Sequence, residues 1–94
     1  MIYRFGPFEL DTDRFELRAD GVVQPVEPQV FAVLLLLVEN RERVVSKDEL
    51  IEKVWDGRIV SESAISSRIK SARQAIGDDG RAQRLIKTLH GRGF

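Results

Sequence analysis

The segment Ser61-Glu62-Ser63-Ala64-Ile65-Ser66-Ser67-Arg68-Ile69-Lys70-Ser71-Ala72-Arg73-Gln74-Ala75-Ile76-Gly77 decides how this chain folds. Ile65, Ile69, Ala72 and Ile76 recur at spacings of four, three and four. At about 100° per residue this gathers them within roughly 60° of one another on a helix. A helix opening near Ser61 and closing before Gly77 is about 22 Å long, and its apolar stripe must face a core. On the opposite side fall Ser63, Ser67, Lys70, Ser71 and Gln74, flanked by Arg68 and Arg73, with no acid between Ser63 and Gly77. A helix that needed only solubility would mix Glu with Lys or Arg for i,i+4 pairs. This one presents a small, polar, cationic face instead.

Toward the N-terminus, Ser46-Lys47-Asp48-Glu49 announces a second helix as a capping box: the serine hydroxyl accepts from the N3 amide while Glu49 reaches back. Leu50, Ile51, Val54 and Trp55 form its buried stripe, and Gly57 ends it. A first helix begins with Pro28 in its first turn, where the missing amide proton costs nothing, and runs to about Glu39, with Asn40 suited to a left-handed C-terminal position. It is apolar nearly all round, hence central. Residues 1 to 26 alternate with period two in Tyr3-Arg4-Phe5, Phe8-Glu9-Leu10 and Phe15-Glu16-Leu17-Arg18, which predicts strands. Gly6-Pro7 and Asp20-Gly21 are turn signals, the second joining the Phe15 strand to Val22-Val23-Gln24 as a hairpin. Toward the C-terminus, Leu85 to Leu89 reads as a strand, His90-Gly91-Arg92-Gly93 as a tight turn, and Phe94 as the first residue of a return strand. The expected organisation is a single α+β domain over 1–94: an antiparallel sheet in 1–26, three helices in 28–76, and a hairpin in 84–94 cut off in its second strand.

With 94 residues, 43% hydrophobic and 32% charged, the chain is sized for one globular domain and too apolar for intrinsic disorder. The absence of cysteine excludes disulfides and thiolate-ligated metal, and fits a reducing cytoplasm. No secretory signal opens the chain, and the longest apolar run, Val30 to Val38, falls short of the ~20 residues that span a bilayer. Net charge is zero but unevenly spread. Residues 1–40 carry three bases against seven acids, whereas Arg58 to the end carries eight bases against three. One end of the molecule is basic.

Catalysis finds little support. The single histidine, His90, sits among glycines with no nucleophile fixed beside it by any motif. The paired acids at Asp11 and Asp13, Asp48 and Glu49, and Asp78 and Asp79 suit turns, a helix first turn and a loop. No spacing of ligands points to a metal, and no cofactor motif is present. DNA recognition needs an acid-free helix face, cations that reach phosphates and short donors that approach base edges. The Ser61–Gly77 segment supplies all of these. Two helices in sequence also give the helix-turn-helix order, although Asp56 to Ser61 exceeds the usual three- or four-residue turn.

The run Val44 to Trp55, then Ile59-Val60-Ser61 through Arg73-Gln74-Ala75-Ile76-Gly77, then Ile86-Lys87-Thr88-Leu89-His90-Gly91-Arg92-Gly93-Phe94, resembles the C-terminal effector domain of OmpR/PhoB-type transcriptional regulators. Phe8-Glu9-Leu10 and Pro28-Gln29-Val30-Phe31 match as well, so the resemblance covers nearly the whole chain. It implies a winged helix-turn-helix: a four-stranded antiparallel sheet, three helices and a C-terminal β-hairpin wing. It implies sequence-specific binding of double-stranded DNA, with the third helix in the major groove. Ser63, Ser67 and Ser71 would then face bases, with Arg68, Lys70 and Gln74 alongside, and the wing turn 90–93 would stand at the minor groove. Trp55 and Arg73 match phosphate-contacting positions, and Lys87, Thr88, His90 and Arg92 belong to the wing. His90 stands where relatives often place arginine, and serines stand where some carry arginine on the helix. Both departures lower the expected affinity per domain. Loop 56–60 matches the segment that touches RNA polymerase in activators. A homodimer on DNA is a further expectation, as is a downstream domain after Phe94, with no receiver domain upstream if Met1 is the native start. Plainer readings stand beside these: Trp55 as core as well as contact, the helix serines as solvent-facing, Arg92 as a turn residue, and the whole domain as a protein-interaction module.

Overall fold

The computed structural model describes all 94 residues. Four strands, β1 (Ile2–Phe5), β2 (Phe8–Asp11), β3 (Glu16–Ala19) and β4 (Val22–Gln24), form one antiparallel sheet in the order β1-β2-β3-β4. Directly paired residues share a face, so Tyr3, Leu10, Leu17 and Gln24 line up across the sheet, with Leu10 and Leu17 fully buried in the core. The other face carries Arg4, Glu9 and Arg18 in one row beside Asp11 and Glu16. There Arg18 donates to Glu16 at 2.8 Å and to Asp11 at 3.3 Å, while Arg4 donates to Glu9 at 2.9 Å. Much of the acid of the N-terminal segment is thus paired within its own sheet. Asp20 and Gly21 both adopt positive φ, 50° and 80°, as the two-residue hairpin turn requires. Phe15 departs from the sequence expectation. It lies outside β3 with φ of 53°, largely exposed, its ring 5.6 Å from that of Phe31.

Helices α1 (Pro28–Glu39), α2 (Lys47–Val54) and α3 (Glu62–Ala75) follow, close to the predicted bounds. Pro28 occupies the first turn of α1, and Val30, Phe31, Val33, Leu34 and Leu36 are buried. Asn40 does not take the left-handed conformation expected of it. Its φ is −119°, and its side-chain amide donates to the Leu36 carbonyl at 2.8 Å, which satisfies the helix end by another route. At α2 only half of the capping box forms. Ser46 Oγ accepts from the Glu49 amide at 3.1 Å, but the Glu49 carboxylate turns to Arg43, at 2.6 and 2.7 Å. That hydrogen bond holds Glu49 below the usual carboxylate range. Ser61 caps α3 in the same manner, accepting from the Ala64 amide at 3.1 Å. Ile65, Ile69, Ala72 and Ile76 are all buried, the stripe read from their spacing.

The C-terminal segment differs most from expectation. Leu85 to Leu89 does not form a strand, because no neighbouring strand pairs with it. Ile86 alone is buried, and Leu85 and Leu89 are exposed. The wing closes through a single antiparallel bridge, Leu89 with Gly93, around the turn that carries His90 and Arg92. Phe94 leaves the wing and pairs with the α1–α2 linker instead: Val45 donates to the Phe94 carbonyl at 2.8 Å and Phe94 to the Val45 carbonyl at 2.9 Å. Gly93 makes this approach possible. A Cβ there would lie 2.0 Å from the Val45 carbonyl oxygen, and its φ is +138°. No helix is long and apolar enough to cross a membrane.

Candidate nucleic-acid interface

With its apolar stripe turned inward, α3 leaves Ser63, Ser66, Ser67, Lys70 and Gln74 exposed, and Ser71 half-buried beside them. Ser66 was not singled out by the sequence reading, although it lies one turn before Lys70 and follows from the same periodicity. Arg68 is half-buried. Its Nε donates to Gln29 Oε1 at 2.9 Å, tying α3 to the first turn of α1 and leaving the two Nη groups without a protein partner. Lys47, also missed, sits at the start of α2 and pairs with Glu62 at 2.9 Å. This neutralises the only acid within α3, through a contact between residues too far apart in sequence to be foreseen.

Arg73 requires a correction. Its match to phosphate-contacting positions implies exposure, yet it is only 8% exposed. Nε donates to the Ile86 carbonyl at 3.0 Å and Nη2 to Thr88 Oγ1 at 2.7 Å. The guanidinium therefore joins α3 to the stem of the wing, and Thr88 is half-buried as its acceptor. Lys87, His90 and Arg92 remain exposed. Trp55, the C-cap of α2, is half-buried against the core, while its indole N–H has no partner within the protein and is not sealed from solvent. Its core and contact readings are compatible in this geometry. The wing turn lies beside the N-terminal ends of α2 and α3: Gly91, Arg92 and Gly93 share a polar hollow with Ser46, Lys47, Asp48 and Glu62. The wing thus follows α3 along its length, its stem at Arg73 and its tip near Glu62.

The electrostatics of this surface are one-sided. None of the eight basic residues from Arg58 onward has a carboxylate within 4.0 Å; every ion pair in the molecule uses Met1, Arg4, Arg18, Arg43 or Lys47. The acids of the same segment are occupied elsewhere. Asp79 accepts from the Arg81 and Ala82 amides, and Asp78 is buried beneath four backbone amides. Burial pushes the Asp78 carboxyl up, but the N–H groups of Ile86, Leu85, Arg84 and Asp79 outweigh it and hold the group far below the usual carboxylate range. No group of three or more potential metal ligands is assembled.

Residues 23–94 match the family model described as transcriptional regulatory protein, C terminal. The chain belongs to this family. Over 96% of its length this OmpR/PhoB-type domain is 33% identical to the transcriptional regulator HilA of Salmonella typhi, of which it spans 16%. Among solved structures, the Thermotoga maritima response regulator DrrB, an OmpR/PhoB homolog, superposes with a TM-score of 0.87 at 35% identity, covering 98% of this chain and 42% of that one. The Klebsiella pneumoniae RstA DNA-binding domain, solved in complex with the RstA box, gives the same TM-score at 18% identity, covering 98% and 92%. That last likeness is one of fold. The family's winged-helix architecture is the sheet, three helices and abbreviated wing described above.

Proposed function

We propose that this domain binds double-stranded DNA sequence-specifically as the effector domain of a bacterial transcriptional regulator. In this reading α3 enters the major groove and the wing turn stands at the adjacent minor groove. The observation that carries it is the open face of α3: serine hydroxyls and a glutamine amide, short donors suited to base edges, set among cations with no carboxylate partner. Lys70, Lys87, His90 and Arg92 serve phosphates and groove walls, and the free Trp55 N–H is a further phosphate donor. Arg73 serves the site through the wing stem. Membership of the family and the RstA complex, in which a domain of the same fold is bound to its box, support the same conclusion. The chemistry is recognition, not catalysis.

The test is a duplex selected from random oligonucleotides, followed by fluorescence anisotropy over a range of salt. Affinity should fall steeply and linearly on logarithmic axes. Arg68→Ala and Lys70→Ala should each weaken binding severalfold, and unchanged affinity in both would exclude α3 as the reading element.

A second contact is favoured by Ile59, which stands fully exposed at the tip of loop 56–60. RNA polymerase is the partner proposed for this loop, with Ile59 as the side chain it would cover. Pairing of two domains on adjacent half-sites is proposed for the intact regulator.

A further inference from the structure

Nothing between Ala75 and Leu89 is helix or strand, so no ladder of backbone pairs holds the wing stem in place. It is held by side chains and backbone at the end of α3. Asp78 Oδ1 accepts from the Asp79 and Arg84 amides, both at 2.9 Å, and Oδ2 from Leu85 at 2.9 Å and Ile86 at 3.0 Å. Arg73 donates across to Ile86 and Thr88, and the Asp78 amide donates back to the Arg73 carbonyl at 2.8 Å. Gln83 Oε1 accepts from the Thr88 amide at 2.8 Å. Asp78 is 5% exposed and Arg73 8%, so both are fixed by their surroundings. Beyond this stem the chain has one bridge, Leu89 with Gly93, and then its attachment at Val45. The place of Arg92 relative to α3 is therefore set from the Asp78 end and from the Val45 end.

We propose that Asp78 is a positioning residue for the DNA contact. Through it the last turn of α3 fixes where the wing stands, so that Arg92 meets the duplex in register with the side chains of α3. The inference rests on the DNA-binding reading above and names the part of the molecule that aligns its two contact elements. An aspartate collecting four amides is suited to this task because each bond is charge-assisted, and together they fix the path of residues 84–86. Asparagine has one acceptor oxygen for the same donors, and its NH2 group faces N–H groups it cannot bond.

The experiment is a double-mutant cycle on the 94-residue domain, using Asp78→Asn and Arg92→Ala and the selected duplex, with hydroxyl-radical footprints of each variant. In the native background Arg92→Ala should weaken binding about fivefold, and in the Asp78→Asn background less than about twofold, since a displaced wing has no contact left to lose. Footprint protection at the wing flank should disappear in Asp78→Asn while protection beneath α3 stays. A general loss of stability would weaken both contacts without coupling them. Equal costs of Arg92→Ala in the two backgrounds overturn the inference, as does an Arg92→Ala variant that binds like the native domain. Should Asp78→Asn be unfolded at the assay temperature, Asp78→Glu takes its place, its carboxylate one methylene too far out to collect the same four amides, and should reduce the Arg92→Ala cost to about half; an unchanged cost is then the refuting result. A native domain that binds none of the selected duplexes defeats the DNA-binding reading itself, an outcome distinct from uncoupled variants of a domain that does bind.

Discussion

Replacing Gly93 by alanine probes the attachment of the chain end to the α1–α2 linker. The new Cβ would lie 2.0 Å from the Val45 carbonyl oxygen, 2.8 Å from its carbon and 2.9 Å from Ser46 Cα, all backbone atoms that cannot swing aside. The least costly escape is for Phe94 to leave Val45. That forfeits two hydrogen bonds, at about 0.5–1.5 kcal/mol each, and the half-buried phenyl ring, at about 1–2 kcal/mol. The loss is about 2–5 kcal/mol, which for a domain of this size lowers Tm by roughly 10–25 °C. Gly91→Ala is the control, since its φ is also positive, +76°, but no atom lies within 4 Å of the added methyl. It should cost only about 1 kcal/mol of backbone strain. Thermal unfolding followed by circular dichroism measures both. A Gly93→Ala domain melting within about 3 °C of the native one, or a Gly91→Ala domain melting lower still, would refute the reasoning.

Acid stability should depend on Asp78. Its folded-state pKa is depressed, so its contribution is complete above the unfolded value of about 3.9 and is lost as pH falls below it. Denaturant titrations should find Asp78→Asn less stable by about 3 kcal/mol at pH 7, with the gap closing as pH drops from about 5 toward 2; a gap independent of pH would contradict the assignment. Ile59→Ser should leave stability within about 0.5 kcal/mol and DNA affinity unchanged while reducing activated transcription in a reconstituted system. Lost affinity for DNA would instead place the loop on the duplex.

Signals carried by neighbouring residues were legible in the chain itself. The spacing of Ile65, Ile69, Ala72 and Ile76 fixed the inward side of α3, Ser46 and Ser61 marked two helix starts, and Asp20-Gly21 marked a hairpin, because each acts within a turn or two of itself. What escaped depends on partners distant in sequence. Arg68 and Arg73 flank the polar face of α3 equally on a helical wheel, and only the Ile86 carbonyl and Thr88 hydroxyl, brought back by the loop, draw Arg73 fully inward. Glu49 had a local acceptor role available and chose Arg43. Leu85 to Leu89 has the composition of a strand, but a strand requires a neighbour, and the one backbone that approaches the chain end is the linker at Val45.

The pairing of acids with arginines across the sheet bears on how a molecule of zero formal charge approaches a polyanion. At physiological ionic strength fields decay over about 8 Å, whereas this domain measures 35 × 28 × 23 Å. A duplex therefore never encounters the sum of the charges. At contact it meets only the cationic side. What the duplex feels is therefore set by the residues turned toward it and not by the formal total.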